Sequence, residues 1–184
     1  MLSQYKKEHQ FLLYHYSLMP NHVHLVLETI PETILAKFMK QINLSYMYHY
    51  KRKYSYVGHL WQGRFKSLLI NRDEYLIVCG KYVEINPVRA NIVKDPKDYK
   101  WSSYNHYAYG EKNPLVDNDP LYESLGKNEL ERQASYREGF EYLIKEINLR
   151  ARFLGNRYFI EKMEKEFGVN NLKSARGRPR TEEK

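Results

Sequence analysis

An α+β fold, with helices packed on one face of an antiparallel sheet, is what this chain of 184 residues predicts, and three observations predict it. FLLYHYSLM and VHLVLE are β-prone runs on either side of Pro20-Asn21, so residues 11–28 read as two strands meeting at a tight turn. Ile34, Leu35, Phe38, Met39, Ile42 and Tyr46 recur at spacings of three and four, which makes an amphipathic helix whose apolar side covers the sheet. RDEYLIVCGKYVEINP opens with Asp73 and Glu74, continues with apolar positions at helical spacing, and ends at Asn86-Pro87, because a residue before proline is disfavoured in a helix.

The remaining elements follow in order. After Gly58, HLWQGRFKSLLIN reads as a loop leading into a strand, giving strand, strand, helix, strand, helix over residues 11–93. From about Lys112 the character changes: Asn113-Pro114, Asp117–Pro120 and Gly126 mark loops before the helical stretch NELERQASYREGFEYLIKEI, and a short helix is expected over Arg157–Phe167. The chain thus divides into a core over residues 1–111, a helical extension over 112–172 and a basic tail over 173–184, for which disorder is expected when no partner is bound.

A hydrophobic content of 42% is enough for a core in a chain of one-domain size. The sequence has no apolar run long enough to span a membrane and no signal-peptide pattern at Met1–Gln10. Its one cysteine, Cys79, excludes an internal disulfide and, among apolar neighbours, reads as packing rather than chemistry. A cytoplasmic location is the expectation. The net charge of +8 and pI near 9.3 point to a polyanionic partner. Tyrosines interleaved with lysines in YMYHYKRKYSY and DYKWSSYNHYAYG add surfaces on which bases can stack, which favours single strands over a duplex. In the tail, Arg176-Gly177-Arg178-Pro179-Arg180 looks like an AT-hook core that lies in a narrow A·T minor groove, or else like a basic tail with non-specific DNA affinity.

Two constellations carry chemistry. On a strand, His22 and His24 share a face with Val26, while Val23, Leu25 and Leu27 face a core. Two imidazoles so placed hold one divalent metal if one or two further ligands join them, and otherwise serve as polar residues on a solvated face. Tyr82 and Asn86 stand at i and i+4, so a phenol and a carboxamide oxygen reach the same small volume; the bland reading of such a Tyr is half-buried packing.

Taken together, YSLMPNHVHLVLE, HLWQGRFKSLLI and KYVEINPVRANIV resemble the single-tyrosine HUH transposases of the IS200-like superfamily, most closely the branch associated with repetitive extragenic palindromes (REP). The order and approximate spacing match, and DYKWSSYNHYAYG extends the resemblance to roughly residues 11–110. The resemblance implies a ferredoxin-like antiparallel sheet, with Tyr82 as nucleophile, His22, His24 and Asn86 as metal ligands, and Mg²⁺ or Mn²⁺ as cofactor. It implies strand transfer on single-stranded or hairpin DNA through a 5′-phosphotyrosine. Neutral ligands suit that task because they leave the cation its full charge for the phosphate. Arg64 in WQGRF and Arg89 in NPVRA are the preferred phosphate contacts among the flanking cations, which include Lys66, Arg72 and Lys81; any of these also reads as solvated surface charge. With Arg176, Arg178 and Arg180 of the tail, they make up the expected DNA-binding set.

One departure matters. Members of the family usually carry a further strand, with a polar motif and a helix, ahead of the histidine strand, whereas this chain reaches that strand almost at once. The sheet is therefore expected to lack a neighbour and to expose an edge. Two other functions stay open: a catalytically impaired or domesticated protein that binds DNA hairpins, and a replication-initiator or relaxase-like nickase, which holds the cleaved strand instead of joining it to a second end. Both a monomer and a homodimer fit the family.

Overall fold

The computed structural model describes residues 1–138, 147 and 151–172. Helix α1 (Leu2–His9) leads through the left-handed residue Gln10 into an antiparallel hairpin of β1 (Phe11–Leu18) and β2 (Val23–Thr29). Then come α2 (Leu35–Tyr54), α3 (Arg72–Glu84), the single turn α4 (Asn86–Arg89), α5 (Tyr104–Tyr109), α6 (Glu129–Arg137) and α7 (Arg157–Phe167). The α+β class is the one expected, and α7 falls where the sequence put a short helix, with the Asn156 side chain accepting from the Phe159 N–H at its start. The strand expected after Gly58 is reduced to β3 (Leu69–Ile70), which pairs in parallel with β4 (Phe153–Leu154) instead of joining the hairpin. Of the helix expected over NELERQASYREGFEYLIKEI, α6 is the described part; residues 139–146 lie outside the described ones.

The hairpin faces are set by a bulge. Leu13 pairs with Leu27 and His15 with Val26, so Tyr14 is an extra residue that shifts the alternation of β1. Phe11, Leu13 and Tyr16 consequently pack with Leu25 and Leu27 on one face, where Phe38 of α2 is fully buried against them. On the opposite face Tyr14 and Val26 pack against Leu76, Cys79, Tyr82 and Val83 of α3. Helices thus cover both faces, which corrects the expectation of helices on one face only. The cause is that Val26 and Tyr14 make the second face apolar as well, and burying side chains of this size stabilises by about 1.5–3 kcal/mol each.

The outer edge of β1 is not exposed as expected. The Leu18 N–H donates to the Trp101 carbonyl at 2.8 Å, the Ser103 N–H to the Tyr16 carbonyl at 3.0 Å, and Ser17 forms an antiparallel bridge with Ser102. Tyr99 adds a hydroxyl bond to the Leu18 carbonyl at 2.6 Å, and Asp117 both donates to and accepts from the backbone of Leu13. Tyr99, residues 101–103 and Asp117 therefore satisfy backbone groups along that edge.

Candidate active site

The turn into β2 is closed by the Met19 N–H on the His22 carbonyl at 2.9 Å. β2 begins at Val23, so His22 belongs to the turn rather than to the strand. Even so, the imidazoles of His22 and His24 meet at 4.8 Å between centroids, with their planes nearly perpendicular. His22 donates from Nδ1 to the Asn21 side-chain oxygen at 2.6 Å, which leaves its Nε2 as the lone-pair nitrogen. His24 shares its strand face with the buried Val26, as the alternation predicts, whereas Val23 is exposed. Burial first, then the neighbouring His22 and Arg89, push His24 down to about 4, so its ring is neutral at physiological pH.

Helix α3 delivers the tyrosine. The Tyr82 ring is buried among Val26, Cys79 and Val83, while the Arg89 guanidinium lies over it at 4.9 Å. Its hydroxyl makes no hydrogen bond among the described residues and is not sealed from solvent. That separates it from Tyr14, Tyr99, Tyr107, Tyr122 and Tyr136, whose hydroxyls all have acceptors. Beyond Glu84 the chain keeps a helical turn through Ile85, so the Asn86 amide nitrogen reaches back to the Tyr82 carbonyl at 2.8 Å and the Val83 carbonyl at 3.2 Å. Carbonyls can only accept, so this anchoring leaves the Asn86 Oδ1 as the free end of the amide.

These donors fit a divalent metal. Two imidazoles and a hard amide oxygen are donor types suited to Mn²⁺ or Mg²⁺. Among the described residues no group of three His, Cys, Asp or Glu side chains is placed to hold a metal ion.

The other site candidates separate. Arg89 joins Tyr82 and His24. Arg64 lies exposed in the loop between α2 and β3 and makes no ion pair or side-chain hydrogen bond among the described residues. Arg72 pairs with Glu28 at 3.6 Å on the exposed rim. Lys81 is buried and donates to the Glu138 carbonyl, so it does not present its charge to solvent. Arg176, Arg178 and Arg180 lie outside the described residues. Cys79 is buried in the core, which pushes its thiol up to about 12 and matches the packing role.

A buried ionic network two residues from Tyr82 has no counterpart in the sequence reading. His15 of β1 is enclosed between Glu84 of α3, 3.0 Å from Nδ1, and Asp119, 2.9 Å from Nε2. Ser103 and Tyr136 donate their hydroxyls to the two Glu84 oxygens. Burial alone would lower His15, but the hydrogen bonds to Asp119 and Glu84 outweigh it and raise the group to about 9, so the ring donates to both carboxylates. The one local signal is Gly80, one turn before Glu84: a Cβ there would run into the His15 ring.

Residues 1–86 match the family model described as Transposase IS200 like, which takes in the hairpin, α2, and the helix bearing Tyr82. No curated protein and no solved structure matches the chain.

Proposed function

We propose that this chain nicks single-stranded or hairpin DNA and transfers the strand, in the manner of the REP-associated tyrosine branch, with Tyr82 as nucleophile. The carrying observation is the Tyr82 hydroxyl, without a hydrogen-bond partner among the described residues, at the end of a buried ring and beneath a guanidinium whose charge is also felt by His24. In the step proposed, Tyr82 Oη attacks the phosphorus, the P–O3′ bond breaks, and the proton of the phenol ends on the departing 3′-oxygen. The 5′-phosphotyrosine keeps the energy of the ester, and a 3′-hydroxyl of a second end reverses the step without ATP. Arg89 holds the phosphate over the ring, and burial of that ring fixes the direction of attack. His22, His24 and Asn86 would hold Mn²⁺ or Mg²⁺, which when bound supplies positive charge against that growing on the non-bridging oxygens.

The test is incubation of the folded protein with labelled hairpin DNA and Mn²⁺ or Mg²⁺, read on a denaturing gel. A covalent adduct that disappears in Tyr82→Phe supports the reading. No adduct from wild type, or an equal adduct from Tyr82→Phe, rejects it.

A further inference from the structure

Helix α2 carries a second surface, away from the tyrosine site. It is 20 residues long, about 30 Å at the usual rise, and its apolar stripe over Leu35, Phe38, Met39 and Ile42 packs on the hairpin. The same row continues as Tyr46, Tyr50 and Tyr54, none of which belongs to the hairpin core. Trp61 lies 5.7 Å from Tyr46, Tyr46 lies 6.1 Å from Tyr50, and Tyr50 lies 4.6 Å from Tyr54 between ring centroids. The indole is held beside the helix by its N–H bond to the Asn43 carbonyl at 3.0 Å. Tyr46 and Tyr54 are nonetheless 41% and 57% exposed.

The charge around this row has one sign. Not one Asp or Glu occurs between Glu32 and Asp73, a stretch that holds eight Lys and Arg residues. Lys51, Arg52 and Lys53 form the last turn of α2, and the Lys53 ammonium lies 5.1 Å over the Tyr54 ring. A second copy seated here would bring these cations against their own images with no local carboxylate to neutralise them. A duplex would offer phosphates but no open base faces.

We propose that the Trp61–Tyr46–Tyr50–Tyr54 row is a stacking platform for unpaired bases of single-stranded DNA, with Lys51, Arg52 and Lys53 following the phosphates. It rests on the reading of the chain as an enzyme of single-stranded DNA. Because α2 and α3 lie on opposite faces of the hairpin, the platform holds strand flanking the scissile phosphate and not that phosphate itself.

Binding is measured by fluorescence anisotropy with a labelled oligo-dT, without divalent metal and in a Tyr82→Phe background, so that nothing is cut. Tyr50→Ala and Tyr54→Ala are each expected to raise Kd about tenfold for the single strand and leave a duplex of equal length unaffected. Tyr54→Phe, which keeps the ring, is expected to bind as the parent does, and circular dichroism checks that each variant is folded. In a Trp101→Phe variant the remaining indole, Trp61, is expected to be quenched by oligo-dT. Unchanged Kd in the alanine variants, equal loss on duplex, an unquenched Trp61, or a dimer that dissociates on substitution each overturns the proposal. Ring-dependent binding without any Tyr82 adduct would sink the nicking reading alone; adducts with ring-independent binding would sink the platform alone.

Discussion

The Arg89 guanidinium stacks on the Tyr82 ring, Cζ to centroid 4.9 Å, and its charge is one of the causes that hold His24 low. One side chain thus couples the proposed nucleophile to the imidazole pair. Arg89→Ala is expected to raise His24 above about 4, read by proton NMR titration of the ring, and to reduce the salt slope of DNA binding by about one unit. An unmoved His24 would break the link between the two.

His22→Ala and His24→Ala are expected to remove adduct formation and Mn²⁺ binding, followed by calorimetric titration, yet keep much of the DNA affinity, because that affinity is spread over many cations. Full Mn²⁺ binding by either variant would reject the ligand assignment.

Acid stability follows from the same histidine. Unfolded, His24 takes a proton near the ordinary histidine value of 6.5; folded, only near 4, because burial opposes the charge. Its contribution is complete above pH 6.5 and is lost as pH falls toward 4. Urea unfolding across that window is expected to show the loss in wild type and a flatter profile in His24→Asn.

His15 acts in the opposite sense. Its folded value is raised to about 9, so its contribution is complete below pH 6.5 and is lost as pH rises through 9. Replacing it by Leu leaves Glu84 and Asp119 buried without their partner and is expected to cost about 3–5 kcal/mol in denaturant unfolding. A Leu variant as stable as wild type would show that the carboxylates are not ionised there.

Gly80→Ala tests the seat of α3. The added methyl meets the His15 ring, so overpacking of about 1–3 kcal/mol is expected. Adduct yield is expected to fall even at temperatures where the variant remains folded, since any retreat of α3 carries Tyr82 with it.

The local features were legible in the sequence. Pro20-Asn21 marked the hairpin turn, Asn86-Pro87 marked the end of α3 to within two residues, and alternation put His24 with Val26 and opposite Leu25 and Leu27. What escaped depends on partners distant along the chain. The extra residue at Tyr14 follows no local rule, and it is what places both Leu13 and Tyr16 on the α2 face. His15 finds Asp119 across 104 residues, and the β1 edge finds its cover beyond Tyr99. A short apolar run such as LLI also does not reveal that its pairing strand comes from Phe153–Leu154.

The cover over β1 has a consequence for assembly. With that flank occupied by residues 101–103, strand addition to the hairpin among the described residues is left to the β2 side, where the two imidazoles stand. An extended peptide docked there would lie along the strand that bears His24, so edge-to-edge growth and the proposed chemistry would compete for one flank of the hairpin.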